Sequence, residues 1–397
     1  MYHVHQTMKL IVIAFCISSV NSVKANEGDF SSLDLLSRIG DQSALQIREK
    51  LILLEKKQIE FIQENKQKLD SVSLENAAEV KLAVERGEKA LEVLSAALDY
   101  LVNGNVPQEP RLRKITPEVI VWLLREVWVV CQGLPWIPSN EKTEFGPFFK
   151  NHAEAFRLQS LATGRIDTYD AGSDAFRSVV GTAIAIGPNH VVTNKHVIID
   201  GDIGYKHLAS GELKLYSRTL ARIFFPVEYE NCDPPAQKVN SEVTIEAIEY
   251  THPTLDFVIA RVKGELGDFI QFPAERDQVV GNRIAVIGYT SRPDPIGTFF
   301  TSAMIDEIFG SPDGKVPFTV QRLSEGLSIT NYGEKLGYFR YDATTWHGNS
   351  GSMVSDLSTG EILGLHSGGR SSAVEGKGYN KAVGSEFLAR AISSIGL

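Results

Sequence analysis

Residues 338–369 contain the residue types and spacing that nucleophilic catalysis needs. Their centre reads Gly348-Asn-Ser350-Gly351-Ser352, which places a small hydroxyl between glycines. Glycine lets the backbone turn sharply and approach a ligand closely. Such a turn can point successive N–H groups into one concavity, where they stabilise a developing oxyanion. A serine hydroxyl is protonated at neutral pH and needs a base before it attacks, so the stretch also requires a histidine and a carboxylate.

Both partners occur upstream, next to apolar β-type runs. His196 ends the run Val-Val-Thr-Asn-Lys-His, and Asp256 begins an apolar strand over residues 257–262. The chemistry needs all three groups: Ser350 attacks a carbonyl, His196 takes and returns the proton, and Asp256 fixes the histidine tautomer. The amides of Gly348 and Ser350 would hold the oxyanion. Each signal alone also fits a turn or a core residue, whereas the three in this order and context favour an active site.

Other classes of site receive little support from the sequence. The remaining histidines that could bind a metal lack His-x-x-x-His spacing beside acidic ligands. The glycines near Gly364 end a strand without opening a helix, which argues against a phosphate-binding loop. We therefore expect no metal and no cofactor.

Composition limits the partners. The 397 residues include 43% hydrophobic and 22% charged residues, which is ordinary for a globular protein, and carry a formal net charge of −9. An acidic chain is a poor ligand for nucleic acid or for an anionic membrane surface. We expect protein or peptide substrates, with no nucleic acid and no membrane span.

The first 25 residues are typical of a cleavable signal peptide. Lys9 precedes a short apolar run, and Val23-Lys24-Ala25 resembles a cleavage site. The run is too short for a membrane-spanning helix, which needs roughly 20 apolar residues. We therefore predict a secreted or periplasmic protein. One disulfide between Cys131 and Cys232 is possible after export, although Cys131 lies in an apolar, helix-like run that favours a plain buried thiol.

Residues from about 31 to 102 have a helical pattern. Apolar residues recur at three- and four-residue spacings over 47–62 and 80–101, which predicts a helical hairpin or coiled coil within 26–110. Ser73 can cap its second helix, and Asn103-Gly104 ends it. This region is either a structural or pro-segment, which we favour, or a module for a partner or for self-association. Residues 111–160 would be a linker and an apolar helix, over 116–130, that packs on the next domain.

Residues 161–397 change to a period of two. Strands are predicted at 165–169, 179–186, 190–193, 243–250, 257–262, 283–288 and 362–365, with a helix at 386–394 near the end. Many short strands separated by turn residues over more than 200 positions indicate an all-β barrel architecture.

At this point the motifs resemble a known family. Thr193-Asn-Lys-His196-Val, the Asp256 strand, Gly348-Asn-Ser-Gly-Ser352 and Gly364-Leu-His-Ser-Gly-Gly369 are similar to those of the chymotrypsin-fold (trypsin-like) serine endopeptidases. The bacterial branch that contains the glutamyl endopeptidases is the nearest. The resemblance covers residues 161–397 and implies a double β-barrel with the triad between the barrels.

The resemblance also implies substrate contacts. Ser367, Gly368 and Gly369 match the extended segment that pairs with the substrate backbone, a form of β-augmentation. Thr345 and His366 match positions that contact the P1 carboxylate in glutamyl-specific relatives. A hydroxyl and an imidazole can both donate to an acidic side chain, and the imidazole can become cationic; alternatively, His366 only fills the pocket floor.

Two positions depart from the family pattern. Asn349 stands where an aspartate is usual, which argues against a switch in which a newly freed amine pairs with that carboxylate. Trp346-His347 replace small residues and could narrow the site. The sequence thus predicts an exported serine endopeptidase with a preference for glutamate at P1. The alternative is a catalytically weak, protease-fold adaptor whose N-terminal helices engage a partner.

Overall fold

The computed structural model describes residues 41–397 with gaps. The gaps are at 70, 72, 111, 113–115, 117–118, 121–122, 124, 126, 138–145, 200–204, 208–212, 216–218, 229–240, 276–279, 293–304, 307, 310–315, 331–336 and 371–378. The predicted signal peptide and Cys232 therefore lie outside the described residues. The chain divides into two compact units, residues 1–120 with 370–378, and residues 121–369 with 379–397.

The first unit contains two long helices, α1 (Asp41–Leu69) and α2 (Leu74–Asn103). Their apolar stripes are buried, with Leu51, Leu54 and Leu94 at 1% exposure or less. The Gln58 side chain donates to the Gly87 carbonyl at 3.2 Å, so the two helices are also joined by a buried hydrogen bond. Gly104 ends α2 in the left-handed conformation, φ 72°, where glycine carries no steric penalty. Neither helix is long and apolar enough to cross a membrane, nor is any other described helix.

The second unit starts with an element that the sequence analysis misread. Residues 127–131 form strand β1 (Val127–Cys131), which pairs with β2 (Leu134–Pro135). The predicted helix over 116–130 is therefore wrong in its last part, because a short apolar run has the same pattern in a buried helix and in a buried strand. Cys131 is disulfide-bonded, so the prediction of a plain buried thiol is wrong as well.

Six strands close the first barrel in the order β10-β5-β4-β3-β8-β9. They are β3 (Thr163–Asp170), β4 (Phe176–Gly187), β5 (His190–Thr193), β8 (Thr219–Phe225), β9 (Ser241–Thr251) and β10 (Val258–Lys263). Two short strands, β6 (Tyr205–His207) and β7 (Leu213–Leu215), pair outside it. Every pairing is antiparallel. The inward-facing residues of these strands, such as Ile166, Ile223 and Val258, are fully buried.

The second barrel closes in the order β11-β14-β15-β16-β13-β12, with β12 returning to β11. Its strands are β11 (Arg283–Tyr289), β12 (Gln321–Thr330), β13 (Tyr338–Ala343), β14 (Met353–Asp356), β15 (Ile362–Arg370) and β16 (Tyr379–Gly384). Strand β1 adds to β12 beside this barrel, with Trp128 opposite Leu323. The other helices whose bounds the described residues define are α3 (Gly146–Asn151), α4 (Ala153–Leu161), α5 (Lys195–Ile198) and α6 (Ser385–Ser394). The predicted fold class, a chymotrypsin-like double barrel preceded by a helical region, is confirmed.

Candidate active site

The turn around Ser350 is built from backbone conformations that only glycine adopts easily. Gly348 and Gly351 have φ values of 93° and 90°. A Cβ at Gly351 would lie 1.9 Å from the Thr182 carbonyl oxygen, so no other residue fits there without moving the strand. Inside the turn, the Ser352 N–H donates to the Asn349 carbonyl at 2.8 Å, and the Asn349 side chain accepts the Trp346 N–H at 3.0 Å. Asn349 therefore stabilises the turn itself.

Thr182, on β4 of the first barrel, holds the turn around Ser350 by hydrogen bonds. The sequence analysis did not identify it. Its N–H donates to the Ser350 carbonyl and its hydroxyl donates to the Gly348 carbonyl, both at 2.8 Å. The Tyr289 N–H donates to the same hydroxyl at 3.1 Å. Thr182 is fully buried, and a fully buried threonine in a strand has no distinctive sequence pattern. Two hydrogen bonds thus join the turn around Ser350 to the first barrel.

His196 and Asp256 come from the first barrel and are brought together by the pairing of β5 with β10. His196 lies on α5, one turn after β5, and Asp256 lies two residues before β10. Thr193 at the end of β5 faces Val258 at the start of β10. The Asn194 side chain donates to the Asp256 carbonyl at 2.8 Å. The strand register therefore places the imidazole and the carboxylate at the same end of the barrel.

The three side chains form a continuous hydrogen-bonded chain. His196 Nε2 lies 2.8 Å from Ser350 Oγ, and His196 Nδ1 lies 2.7 Å from Asp256 Oδ2. The His196 N–H also donates to Asp256 Oδ1 at 3.0 Å, so the carboxylate holds both the ring and its backbone. The Ser367 hydroxyl donates to Asp256 Oδ2 at 2.7 Å. In this arrangement Nδ1 carries the proton and Nε2 faces the serine as an acceptor.

Asp256 is kept ionised by its neighbours. Burial by itself raises the pKa of this carboxyl group, but the hydrogen bond and charge of His196 and the donors Ser367 and His196 N–H together lower the pKa below its ordinary value. An ionised carboxylate at Nδ1 favours the imidazolium that forms when Nε2 takes up the serine proton.

The N–H groups of Gly348 and Ser350 lie in the same turn. Within the part of the chain that the structure describes, neither group donates to a protein acceptor, whereas the intervening Asn349 N–H donates to the Trp346 carbonyl. Both groups are therefore available to a ligand beside the serine. This arrangement suits an oxyanion, because donors that need no rearrangement stabilise developing charge most effectively.

Thr345 and His366 each hydrogen-bond to a neighbouring side chain. The Thr345 hydroxyl donates to Asn380 Oδ1 at 2.8 Å, and Asn380 in turn donates to the Ala343 carbonyl at 2.7 Å. His366 is buried, and the Tyr341 hydroxyl contacts its Nδ1. The contact of Asn380 with this region was not predicted from the sequence.

The electrostatics of His366 correct one sequence-based expectation. Burial, with a smaller contribution from the nearby His196, lowers the pKa of His366 to about 3. Burial also raises the pKa of Tyr341 well above its ordinary value, so the phenol beside Nδ1 stays protonated. The idea that His366 becomes cationic is therefore wrong: the ring is neutral at physiological pH.

The segment Ser367, Gly368 and Gly369 forms the end of β15. Gly368 has φ 132°, and Gly369 is exposed. The Ser367 hydroxyl is already used by Asp256, so any contact of this segment with an extended peptide would come from its backbone. No cluster of His, Cys, Asp and Glu able to hold a metal occurs among the residues that the structure describes.

Comparison with known proteins agrees with this geometry at the level of the fold. Residues 181–365, just under half of the chain, match the family model described as "Trypsin-like peptidase domain". This match supports a serine-type peptidase. It does not point to the glutamyl branch. None of the curated proteins is significantly similar to the chain.

Among solved structures, the chain is similar to two crystal structures of the Rv3671c protease of M. tuberculosis H37Rv. Both are described as inactive forms, and one is a serine-to-alanine mutant. Each is 16% identical with a TM-score of 0.37; they cover 63% and 66% of this chain and 96% and 97% of their own. At this sequence identity and TM-score, the similarity gives no information on the activity of this chain.

Proposed function

We propose that this chain is a serine endopeptidase that hydrolyses peptide bonds through an acyl-enzyme. The observation that carries the proposal is the chain of contacts from Ser350 Oγ through His196 to Asp256, at 2.8 and 2.7 Å. The match of residues 181–365 to trypsin-like peptidase domains supports the same chemistry.

The geometry supports the following sequence of steps. Ser350 Oγ attacks the scissile carbonyl carbon while its proton passes to His196 Nε2, and the resulting oxyanion accepts the Gly348 and Ser350 N–H groups. The imidazolium then gives its proton to the leaving amine as the C–N bond breaks, which leaves the acyl group on Ser350. A water molecule, deprotonated by His196, attacks the ester, and the serine recovers its proton as the carboxylic acid departs.

A labelling experiment tests the proposal. A fluorophosphonate probe reacts only with an activated serine, so we expect the full-length protein to be labelled and Ser350→Ala to remain unlabelled. Ser358→Ala is the matched control, since Ser358 is exposed on the turn after β14 and its hydroxyl is not part of the site. An unlabelled wild-type protein would overturn the proposal and favour the adaptor alternative. Trimming the chain at residue 163 is unsuitable as a test, because that cut removes β1 from the sheet.

We further propose that the P1 side chain ends in a carbonyl oxygen, with glutamate as the preferred residue and glutamine as its competitor. The support is the neutral imidazole of His366, which can donate one hydrogen bond without supplying a charge, and the Thr345 hydroxyl, which donates to a ligand once it gives up its bond to Asn380 Oδ1. Paired peptide substrates with glutamate, glutamine or alanine at P1 test this. Equal kcat/KM values for glutamate and alanine would contradict it.

Export is also a proposal. The disulfide bond of Cys131 supports it, because disulfides persist in oxidising compartments outside the cytosol. We expect the mature protein to begin after Ala25 and to be recovered from the periplasm or the medium. N-terminal sequencing of the fractionated protein decides between this and retention of residues 1–25.

A further inference from the structure

A buried ion pair joins the start of the second unit to β13. Arg125 lies two residues before β1, and one of its terminal nitrogens, Nη2, is 2.9 Å from Asp342 Oδ2. The exposed fractions of the two side chains are only 6% and 5%. The other carboxylate oxygen of Asp342 accepts the Leu327 N–H at 2.7 Å. In the sequence, Arg125 interrupts an apolar run, and the catalytic mechanism above does not use it.

The partners of Arg125 belong to the strand end that carries the proposed P1 contacts. Tyr341, next to Asp342, holds His366 through Nδ1. The Thr344 hydroxyl donates to the Arg125 carbonyl at 2.9 Å, and Thr344 immediately precedes Thr345. Arg125 therefore grips the segment 341–345 at two points, through its guanidinium and through its backbone.

We propose that Arg125 is a positioning residue for P1 recognition: it fixes the segment 341–345, which contains Thr345 and Tyr341, and Tyr341 in turn contacts His366. This inference rests on the proposed function. It assigns a part in specificity to a residue outside the family-matched segment 181–365.

The physical reason lies in the burial of the pair. A carboxylate at 5% exposure that loses its guanidinium partner must either take up a proton or move toward water. Movement toward water shifts β13 at Asp342, and protonation removes the ion pair that ties this part of β13 to Arg125. In both cases the segment between Tyr341 and Thr344 loses a buried attachment. The Asn380 side chain, which accepts from Thr345 and donates to Ala343, would follow the same movement.

The arrangement also bears on activation. Asn349 offers no carboxylate for a newly freed amine, whereas Arg125 supplies a permanent cation to Asp342 within the uncleaved chain. The segment 341–345 is thus held in place without a newly formed N-terminus. A cut between Arg125 and β1 would release this cation from the barrel segment, so a processing event that preserves specificity falls before Arg125.

The test measures specificity separately from chemistry in the full-length protein. Arg125→Gln is compared with wild type by two readouts: the ratio of kcat/KM for P1 glutamate over P1 alanine peptides, and the rate of labelling by a fluorophosphonate that has no P1 side chain. We expect the ratio to fall about tenfold while the labelling rate stays within about twofold. The double variant Arg125→Gln/Asp342→Asn, which removes the unpaired charge, is expected to recover part of the ratio.

Arg165→Gln is the matched control. Arg165 pairs with the buried Asp167 at 2.6 Å on β3, in the other barrel, so this variant also breaks a buried ion pair. We expect it to lower stability and leave the specificity ratio unchanged. The inference is overturned if Arg125→Gln keeps the wild-type ratio, or if the ratio changes equally in both single variants. Failure of wild type to label would instead overturn the proposed function, so the two outcomes are distinguishable.

Discussion

At the scale of single residues, Asp256 is held by groups other than His196. The Asp256 backbone N–H donates to the Tyr338 hydroxyl at 2.8 Å, and the Ser367 hydroxyl, which donates to the Asp256 carboxylate, also hydrogen-bonds to Tyr338. Tyr338 is buried, and this burial raises the pKa of its phenol. Tyr338 therefore positions Asp256 through its contacts with the Asp256 N–H and with Ser367. The sequence did not indicate this role.

The substitution Tyr338→Phe tests this arrangement. It keeps the ring and removes two hydrogen bonds, those to the Asp256 N–H and to the Ser367 hydroxyl, and the loss of the bond to Asp256 alone is worth about 1 kcal/mol. We expect kcat to fall about fivefold with little change in KM, since no substrate contact is lost. Steady-state kinetics with one peptide substrate measures both. An unchanged kcat would show that the backbone of Asp256 needs no such support.

His366 makes a prediction about pH. Its pKa is about 3 in the folded protein and ordinarily near 6.5, so between these values the unfolded state binds a proton that the folded state does not. The free energy of unfolding is therefore not reduced by His366 above pH 6.5. It decreases by about 1.4 kcal/mol per pH unit as the pH falls from 6.5 toward 3.

Urea unfolding at pH 7.5 and at pH 5 checks this prediction. We expect the free energy of unfolding of wild type to fall by about 2 kcal/mol more than that of His366→Gln, which has no group to titrate. Other groups titrate equally in both proteins and cancel in the comparison. Equal losses in the two proteins would mean that His366 is protonated in the fold.

At the scale of elements, β12 pairs with three other strands, which its own sequence does not indicate. It pairs with β1, β11 and β13 at different parts of its length. Its Arg322 is buried, and the guanidinium donates to the carbonyls of Phe309, Pro317, Phe318 and Val320. Burial lowers the pKa of Arg322 to about 9, so it remains charged at neutral pH. One side chain thus holds the segment that precedes β12.

Replacing Arg322 tests how much this segment depends on it. Arg322→Met leaves buried carbonyls without donors, and Arg322→Lys cannot reach all four because its ammonium is a compact group. We expect both variants to lose about 3–5 kcal/mol, measured by denaturant unfolding. A loss below about 1 kcal/mol in Arg322→Met would show that other donors replace the guanidinium.

At the scale of the whole molecule, each of the two units has buried residues of its own. All the residues proposed for catalysis and P1 recognition belong to the second unit, residues 121–369 with 379–397. The helices α1 and α2 bury Leu51, Leu54 and Leu94 in the first unit. The first unit can therefore be disrupted without altering any residue of the proposed site.

The substitution Leu94→Asp tests whether the chemistry needs the first unit. A carboxylate in place of a fully buried leucine unfolds the helical pair, because an unpaired buried charge is very costly. We expect far-UV circular dichroism to lose helical signal while the fluorophosphonate labelling rate stays within about twofold of wild type. Loss of labelling would show that the helices contribute to the folded site. Leu82→Asp, at an exposed position of α2, is the control.

The amino-acid sequence alone determined several strands, the end of one helix and the motifs of the candidate site, because each of these depends on neighbouring residues. Strands such as β5 and β11 alternate or run apolar between turn residues, the end of α2 is marked by Gly104, and the motifs around His196, Asp256 and Ser350 stand out by composition. From these an all-β barrel architecture and the three candidate residues could be predicted, and the double barrel followed from the resemblance to the chymotrypsin-fold peptidases. The same methods misread β1, because five apolar residues fit a buried helix and a buried strand equally well.

Only the tertiary structure decided which distant groups support the site. Thr182 contacts the nucleophile turn from 168 positions before Ser350, Tyr338 accepts from Asp256, and Arg125 reaches Asp342 over a separation of 217 residues. Contacts at such separations follow from the register and closure of two barrels, which no local periodicity records. The neutral state of His366 has the same origin, since its pKa depends on burial and on Tyr341, and both exist only once the strands have packed.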